Sequence, residues 1–254
     1  MRHEGSIAGA ISERLGLPVL LETVHEVVVI KPAGMATELT SDPKGTSLIS
    51  RVRAAAPDDA IPKLPHRLDR VTRGIVVAAL SEDGIRFHNE QLRRGAWEKM
   101  YLARLDVSRS ADPESMIGEH KVHLRTRSGR AEVVRSGGKR AITEVLAVAF
   151  APDRDDEAHA LLRLRTGRYH QIRATMAHLG APLVGDWLYG AGSAREERRF
   201  YLEHTALRFT PCWEDGPVGI HLREDPDRDS VAPPLSTKLD RILVEWEAAN
   251  APKR

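Results

Sequence analysis

The sequence predicts an α+β fold on a largely antiparallel sheet. Two observations carry this: strand-like runs outnumber helical ones, and they lack the regular βαβα alternation of a doubly wound parallel sheet. Residues 6–16 read as a short helix stopped by Gly16, and residues 21–30 as one or two strands. Lys31-Pro32-Ala33-Gly34 is a turn, because proline fixes φ and glycine admits positive φ. Residues 47–55 fit an amphipathic helix, 74–79 a β-branched strand, and 81–95 a helix capped by Ser81 and stopped by Gly95. Strand-like alternation marks 97–107, 131–134, 141–150 and 158–165. The acidic run 152–157 reads as a loop between two of these. A helix spans 171–179 and ends at Gly180; strands at 200–210 and 218–222 and a helix at 235–249 complete the chain.

Composition narrows the class. The 254 residues suffice for a sizeable core, and 41% apolar with 29% charged residues describes a water-soluble globular chain. The longest apolar runs, 27–30 and 74–80, are too short to cross a bilayer. No apolar stretch follows Met1-Arg2-His3-Glu4-Gly5, so no secretory signal is seen and a cytoplasmic location is expected. Cys212 is the only cysteine, which excludes an internal disulfide and a multi-thiolate zinc site. Net charge is only +2, but its distribution is uneven. Residues 120–141 carry seven Lys or Arg (Lys121, Arg125, Arg127, Arg130, Arg135, Lys139, Arg140) against one acid, Glu132. Residues 161–173 hold four arginines and no acid, while acids gather at 153–157 and 224–229. A basic face for a polyanion and a set of solvated loops and strand edges account equally well for this pattern.

Three constellations could carry chemistry. His66-Arg67-Leu68-Asp69-Arg70, with Thr72 and Gly74, places one acid among cations before an apolar strand. Neighbouring cations favour its charged form, although an isolated pentapeptide of this kind also fits a surface ion pair. Thr166-Gly167-Arg168-Tyr169-His170-Gln171-Ile172-Arg173 turns from a strand into a helix whose first turn bears an arginine. An ordinary strand-to-helix turn with solvated arginines reads the same way, and Gly185-Asp186-Trp187-Leu188-Tyr189-Gly190 looks like a tight loop closing that region. Lys99-Met100-Tyr101-Leu102-Ala103 puts Tyr101 near the start of a strand, where tyrosines commonly serve packing. There is no Walker loop, no strand-GxGxxG-helix and no GxSxG elbow. His120/His123 and His170/His178 lack an adjacent acidic ligand set, so neither metal nor cofactor is expected.

In this order and spacing the segments resemble the RluA-type family of pseudouridine synthases. The resemblance rests on Lys31-Pro32-Ala33-Gly34, His66-Arg67-Leu68-Asp69-Arg70, Lys99 with Tyr101 and Ala103, and Lys139 with Ala141 and Thr143. It continues through Thr166-Gly167-Arg168, His170-Gln171-Ile172-Arg173, Gly185-Asp186 and Tyr189-Gly190, and covers roughly residues 20–211. It implies a bent, mixed sheet with flanking helices around a central basic cleft. The organisation it implies is a short helical segment (1–20), a catalytic domain (21–234) and a C-terminal helix and tail (235–254), with no room for a separate RNA-binding module before residue 20. It further implies a catalytic Asp69, a Tyr101 that stacks on the target base and helps remove a proton, an Arg173 paired with Asp69, and an Arg67 that helps eject the target nucleotide. Arg70, Arg168, His170, Lys139 and Arg140 are expected RNA contacts.

These residue types suit the implied reaction. It breaks the N1–C1′ bond of uridine, turns the uracil and joins C5 to C1′, with no redox change. A carboxylate can act as nucleophile or base, and an adjacent arginine keeps it ionised. Three routes stay open for Asp69: attack at C1′, addition to the base, and abstraction of the C2′ proton. The expected partner is a structured tRNA or rRNA stem-loop, bound by a monomer, with the target base flipped from its stack. A catalytically silent RNA-binding or assembly factor on the same scaffold is the alternative; a hydrolase using Asp69 and His66 is a third reading. Some positions depart from the family pattern: Ile30, Val71, Arg73, Thr175 and the segment Glu203-His204-Thr205-Ala206-Leu207.

Overall fold

The computed structural model describes residues 10–39, 46–108, 112–190, 201–225 and 231–250. The first residues of the helix expected at 6–16, the start of the strand expected at 200, and most of the acidic run 224–229 lie outside them. The chain forms two compact units, one of Met1–Trp97 with Phe209–Ile220, the other of Glu98–Arg208 with His221–Arg254.

The first unit holds α1 (Ala10–Leu15), β1 (Val19–Glu22), β2 (Glu26–Lys31), α2 (Leu48–Ala55), β3 (Arg73–Ala79) and α3 (Glu82–Arg94). β2 pairs antiparallel with both β1 and β3. All six of its residues are buried, which is why its apolar run is continuous instead of alternating. Glu26 and Lys31 therefore place a buried charge at each end of β2. Ser47 begins α2 through a capping box with Ser50, and Ser81 begins α3 by accepting from the Gly84 N–H.

The second unit holds β4 (Glu98–Asp106), a 3₁₀ turn (Pro113–Met116), β5 (Gly118–Arg127), β6 (Arg130–Val134), β7 (Lys139–Ala151), β8 (Arg154–Leu164), α4 (Gln171–His178), β9 (Leu202–Phe209) and α5 (Pro233–Asn250). A further strand, β10, spans Val218–His221. The sheet order is β9-β4-β8-β7-β5-β6, with every neighbouring pair antiparallel. Alternation divides the side chains between two faces. Met100, Leu102, Leu161 and Ala206 pack with Leu235, Leu239, Ile242 and Trp246 of α5 on one. On the other, Leu124, Ala131 and Ala141 pack with Ala174 of α4 and with Tyr189. Lys99, Tyr101 and Thr143 share the α4 face, since Lys99 pairs with Leu164, Leu164 with Thr143, and Tyr101 lies two residues beyond Lys99. The class is thus α+β with a largely antiparallel sheet, as the element order predicts.

Two local expectations are corrected. Residues 152–157 are not a loop: the β7–β8 turn is Pro152-Asp153 alone, and β8 starts at Arg154. The acids tolerate the strand because cations meet them, Arg104 binding Asp153 and Glu157, and Arg154 binding Asp156. The basic stretch contains a strand, β5, that the expected order omits. Leu124 is its only buried side chain, so the apolar signal was weak, although Val122, Leu124 and Thr126 do alternate with Lys121, His123 and Arg125.

Candidate active site

In the first unit the site is a short loop held at nearly every residue. His66 Nε2 accepts the Val77 N–H at 3.0 Å, so a neutral ring carries its proton on Nδ1. Leu68 is bracketed by one side chain, the Thr37 hydroxyl, which accepts from its N–H at 3.2 Å and donates to its carbonyl at 2.5 Å. The Asp69 carbonyl accepts from Thr72 N–H at 3.0 Å, closing a turn. The Arg70 carbonyl accepts from Gly34 N–H at 2.7 Å and from Lys31 Nζ at 3.4 Å, and Arg70 Nε donates back to the Gly34 carbonyl at 2.8 Å. Asp69 sits half-buried at the centre of this clamp.

The clamp explains the Lys31-Pro32-Ala33-Gly34 segment. Lys31 is fully buried and its ammonium also donates to the carbonyls of Pro32 at 2.9 Å and Met35 at 2.8 Å. Burial lowers its pKa to about 8, while the charge of Asp69 works in the opposite direction. Gly34 has φ +85°, a conformation that lets the backbone turn back onto Arg70. Sequence reasoning placed a turn here but not its function as the other jaw of the Asp69 loop. Arg67 is exposed and ion-paired with Glu38 at 2.7 Å.

In the second unit the residues converge on Arg173. Its Nε and one terminal nitrogen each donate to Asp186 at 2.8 Å, a buried bidentate pair. Its other terminal nitrogen lies 2.9 Å from His170 Nε2. A guanidinium only donates, so Nε2 accepts, and the neutral imidazole presents Nδ1–H to Tyr189 Oη at 3.1 Å. Tyr189 Oη also accepts the Ala131 N–H of β6 at 2.8 Å. His170 adopts a left-handed backbone (φ +51°) at the start of α4, and its ring stacks on Tyr169 with centroids 3.8 Å apart. Both its ring nitrogens face protein groups, Tyr189 and Arg173. Gln171 knits the preceding turn to β7 through the Ile142 carbonyl and Thr143 Oγ1.

Tyr101 is buried on β4 and stacks on His204 of β9, with centroids 4.6 Å apart and planes 15° from parallel. Arg168, Lys139 and Arg140 are exposed together, with Arg168 Nε donating to the Arg140 carbonyl at 3.0 Å. Asp186, His204, Lys31 and Thr37 are the supports that sequence reasoning missed; each lay within or beside a motif but had no visible partner.

One buried cluster raises the question of a metal. Glu26, His88 and Cys212 meet in the first unit. His88 Nε2 is 2.6 Å from Glu26 Oε2, and Cys212 Sγ is 3.3 Å from the same nitrogen. Ligands of a tetrahedral zinc at ~2.0 Å stand about 3.3 Å apart, so the Glu26–His88 contact is that of a hydrogen bond. The Cys212 N–H completes the cluster by donating to the Glu26 carboxylate at 3.0 Å.

The sequence of this chain matches the family model described as RNA pseudouridylate synthase over residues 25–178. The chain belongs to that family. A Dual-specificity RNA pseudouridine synthase RluA from Escherichia coli O6:H1 is 31% identical over 75% of this chain and 85% of its own length. An Uncharacterized RNA pseudouridine synthase YhcT from Bacillus subtilis is 32% identical over 75% of this chain and 63% of its own. A Ribosomal large subunit pseudouridine synthase D from Xylella fastidiosa is 37% identical over 71% and 54%. The RluA-type resemblance is borne out, and the chain spans between half and two thirds of the latter two relatives. Human RNA Pseudouridylate Synthase Domain Containing 1 shares the fold, with TM-score 0.69 and 23% identity over 99% of this chain and all of that one.

Proposed function

We propose that this pseudouridylate synthase family member isomerises uridine to pseudouridine in a structured tRNA or rRNA, as a cytoplasmic monomer. Asp69 is its catalytic carboxylate and residues 21–234 its catalytic segment. The observation that carries the reading is the clamp on the Asp69 loop, where Thr37, Lys31 and Gly34 hold the backbone on both sides of one carboxylate and the Val77 N–H holds the His66 ring. Such preorganisation suits a group that must meet one atom of a flipped nucleotide.

In the proposed reaction the N1–C1′ bond breaks, uracil turns, C5 bonds to C1′, and the C5 proton leaves to solvent as N1 gains one. Asp69 acts at the sugar or the base with Arg173 as its partner, and Tyr101 stacks on the uracil and takes part in C5 deprotonation. Arg67 fills the space of the extruded base, while Arg70, Arg168, Lys139 and Arg140 contact phosphates. His170 acts through Arg173. A hydrolytic reading would need His66 as a base, but its Nε2 is committed to the Val77 N–H.

The name of the large-subunit relative supports rRNA as a candidate substrate, and the dual-specificity name of the RluA relative supports testing tRNA beside it. The test is release of tritium from RNA labelled at uridine C5. The wild-type protein is expected to release it, and Asp69→Asn to abolish release while still binding RNA. Full activity in Asp69→Asn would overturn the assignment. RNA binding without release from either RNA class would favour the assembly-factor reading.

A further inference from the structure

Two lysines are buried among the described residues, and they are treated differently. Lys31 spends its ammonium on three main-chain carbonyls. Lys99 is only 8% exposed, yet among the described residues its ammonium has neither an ion pair nor a hydrogen bond. Burial alone lowers its pKa to about 8, with no charged neighbour compensating. A desolvated cation without a counter-ion is costly unless a ligand brings the anion.

The surroundings show where that anion would sit. Lys99 lies two residues before Tyr101 on the α4 face of the sheet, flanked by Leu164 of β8 and Leu207 of β9. Its Nζ lies against the Thr166-Gly167-Arg168 turn, where a Cβ on Gly167 would stand 3.6 Å away. That turn carries the exposed Arg168. The titratable and charged groups on this face are Tyr101, His204, Lys139, Arg168, Tyr169 and Tyr189 and, at and on α4, His170 and Arg173 with its Asp186. Glu98, Arg163 and Arg208 belong to the opposite face, where Glu98 pairs with Arg208 and Arg163 with Glu144. No unpaired acid is left on the α4 face, among the described residues, to serve Lys99.

We propose that Lys99 binds a backbone phosphate of the RNA, beside the Gly167–Arg168 turn and on the face that bears Tyr101. This rests on the RNA-modifying reading above for the identity of the ligand. A phosphodiester is the anion RNA supplies, whereas a base carbonyl would leave the lysine charge unbalanced.

The test is binding, not turnover. In vitro transcribed, unmodified tRNA and large-subunit rRNA are titrated against the full-length Asp69→Asn protein and against the same protein with Lys99→Met or Lys99→Arg. The RNA bound more tightly is then followed as a function of KCl concentration and pH. Each lost phosphate contact lowers the slope of log K against log salt by about 0.7–0.9. Lys99→Met is expected to show that loss and Lys99→Arg to retain the parent slope. The parent should also lose affinity about tenfold between pH 7 and pH 9 as the lysine of the free protein deprotonates, and neither variant should. A packing role for the alkyl chain would shift melting temperature without moving either readout. An unchanged salt slope and pH dependence in Lys99→Met overturns the proposal. Absence of tritium release in wild type, with the Lys99-dependent slope intact, would remove the isomerase reading but leave this contact standing.

Discussion

Arg173 is gripped by Asp186 through two parallel 2.8 Å hydrogen bonds, so the arginine that opens α4 is fixed before any substrate arrives. The remaining nitrogen is set by His170, which Tyr189 orients in turn. Asp186→Ala leaves a buried guanidinium without this partner and should lower unfolding stability by about 3–5 kcal/mol in urea titrations. Asp186→Asn keeps the shape and loses the charge. Its expected effect is a fall in kcat on the order of 10²-fold with little change in KM, because aim is lost and not RNA contact. A kcat equal to wild type would show that Arg173 does not depend on this grip.

Thr37 offers a sharper probe of the Asp69 loop, because one hydroxyl serves both the N–H and the carbonyl of Leu68. Thr37→Val is isosteric and leaves two buried backbone groups unsatisfied. A loss of about 1–3 kcal/mol in stability is expected, together with a lower rate of tritium release. Thr37→Ser, which restores the hydroxyl, should recover most of both. If Val and Ser behave alike, the bracket is not what holds the loop.

Much of this was legible beforehand. Ser81 and Gly95 marked both ends of α3 because capping chemistry is local, and Val27 to Ile30 marked β2 because burial on two faces leaves no polar positions. The motif residues Asp69, Tyr101 and Arg173 stood out through the resemblance of their segments to the RluA-type family. Their supports did not. Asp186 lies thirteen residues from Arg173, Thr37 thirty-one from Leu68 and Lys31 thirty-nine from Arg70, and such pairings are fixed only when the chain has folded. β5 escaped for a different reason: with only Leu124 buried, its alternation carried little apolar contrast.

Lys31 makes a pH-dependent prediction. Its folded pKa of about 8 lies below the ordinary lysine value of 10.5, so below pH 8 the folded state holds a proton at a cost that the unfolded state does not bear. Between pH 8 and 10.5 the unfolded chain binds more protons at this site, and stability rises with pH. The full difference corresponds to roughly 3 kcal/mol. Lys31→Met removes this rise. The stability of wild type minus that of Lys31→Met, from urea titrations at pH 7, 8.5 and 10, should therefore increase with pH. A flat difference would mean that the three carbonyls and Asp69 already restore an ordinary pKa.

The Glu26–His88–Cys212 cluster predicts the behaviour of the lone thiol. Burial pushes the Cys212 pKa up, and its hydrogen bond to Glu26 and the Glu26 charge push it further. Burial also acts to raise the Glu26 pKa, but hydrogen bonds from His88 and Cys212 and the His88 charge outweigh it, so the net shift is downward. The thiol is thus both inaccessible and protonated in the native state. A disulfide reagent such as DTNB should react slowly at pH 7–9 and rapidly only through the urea unfolding transition. Glu26 contributes stability above its unfolded pKa near 4.5, and this is lost as pH falls through its lower folded value. Glu26→Gln should therefore lower stability at pH 7 and flatten the acid limb of the stability profile. It should leave native thiol labelling slow, because burial remains when the charge is gone. Fast stoichiometric labelling of the native wild type would show that Cys212 is reachable, and that the cluster is not the closed structural unit its hydrogen bonds describe.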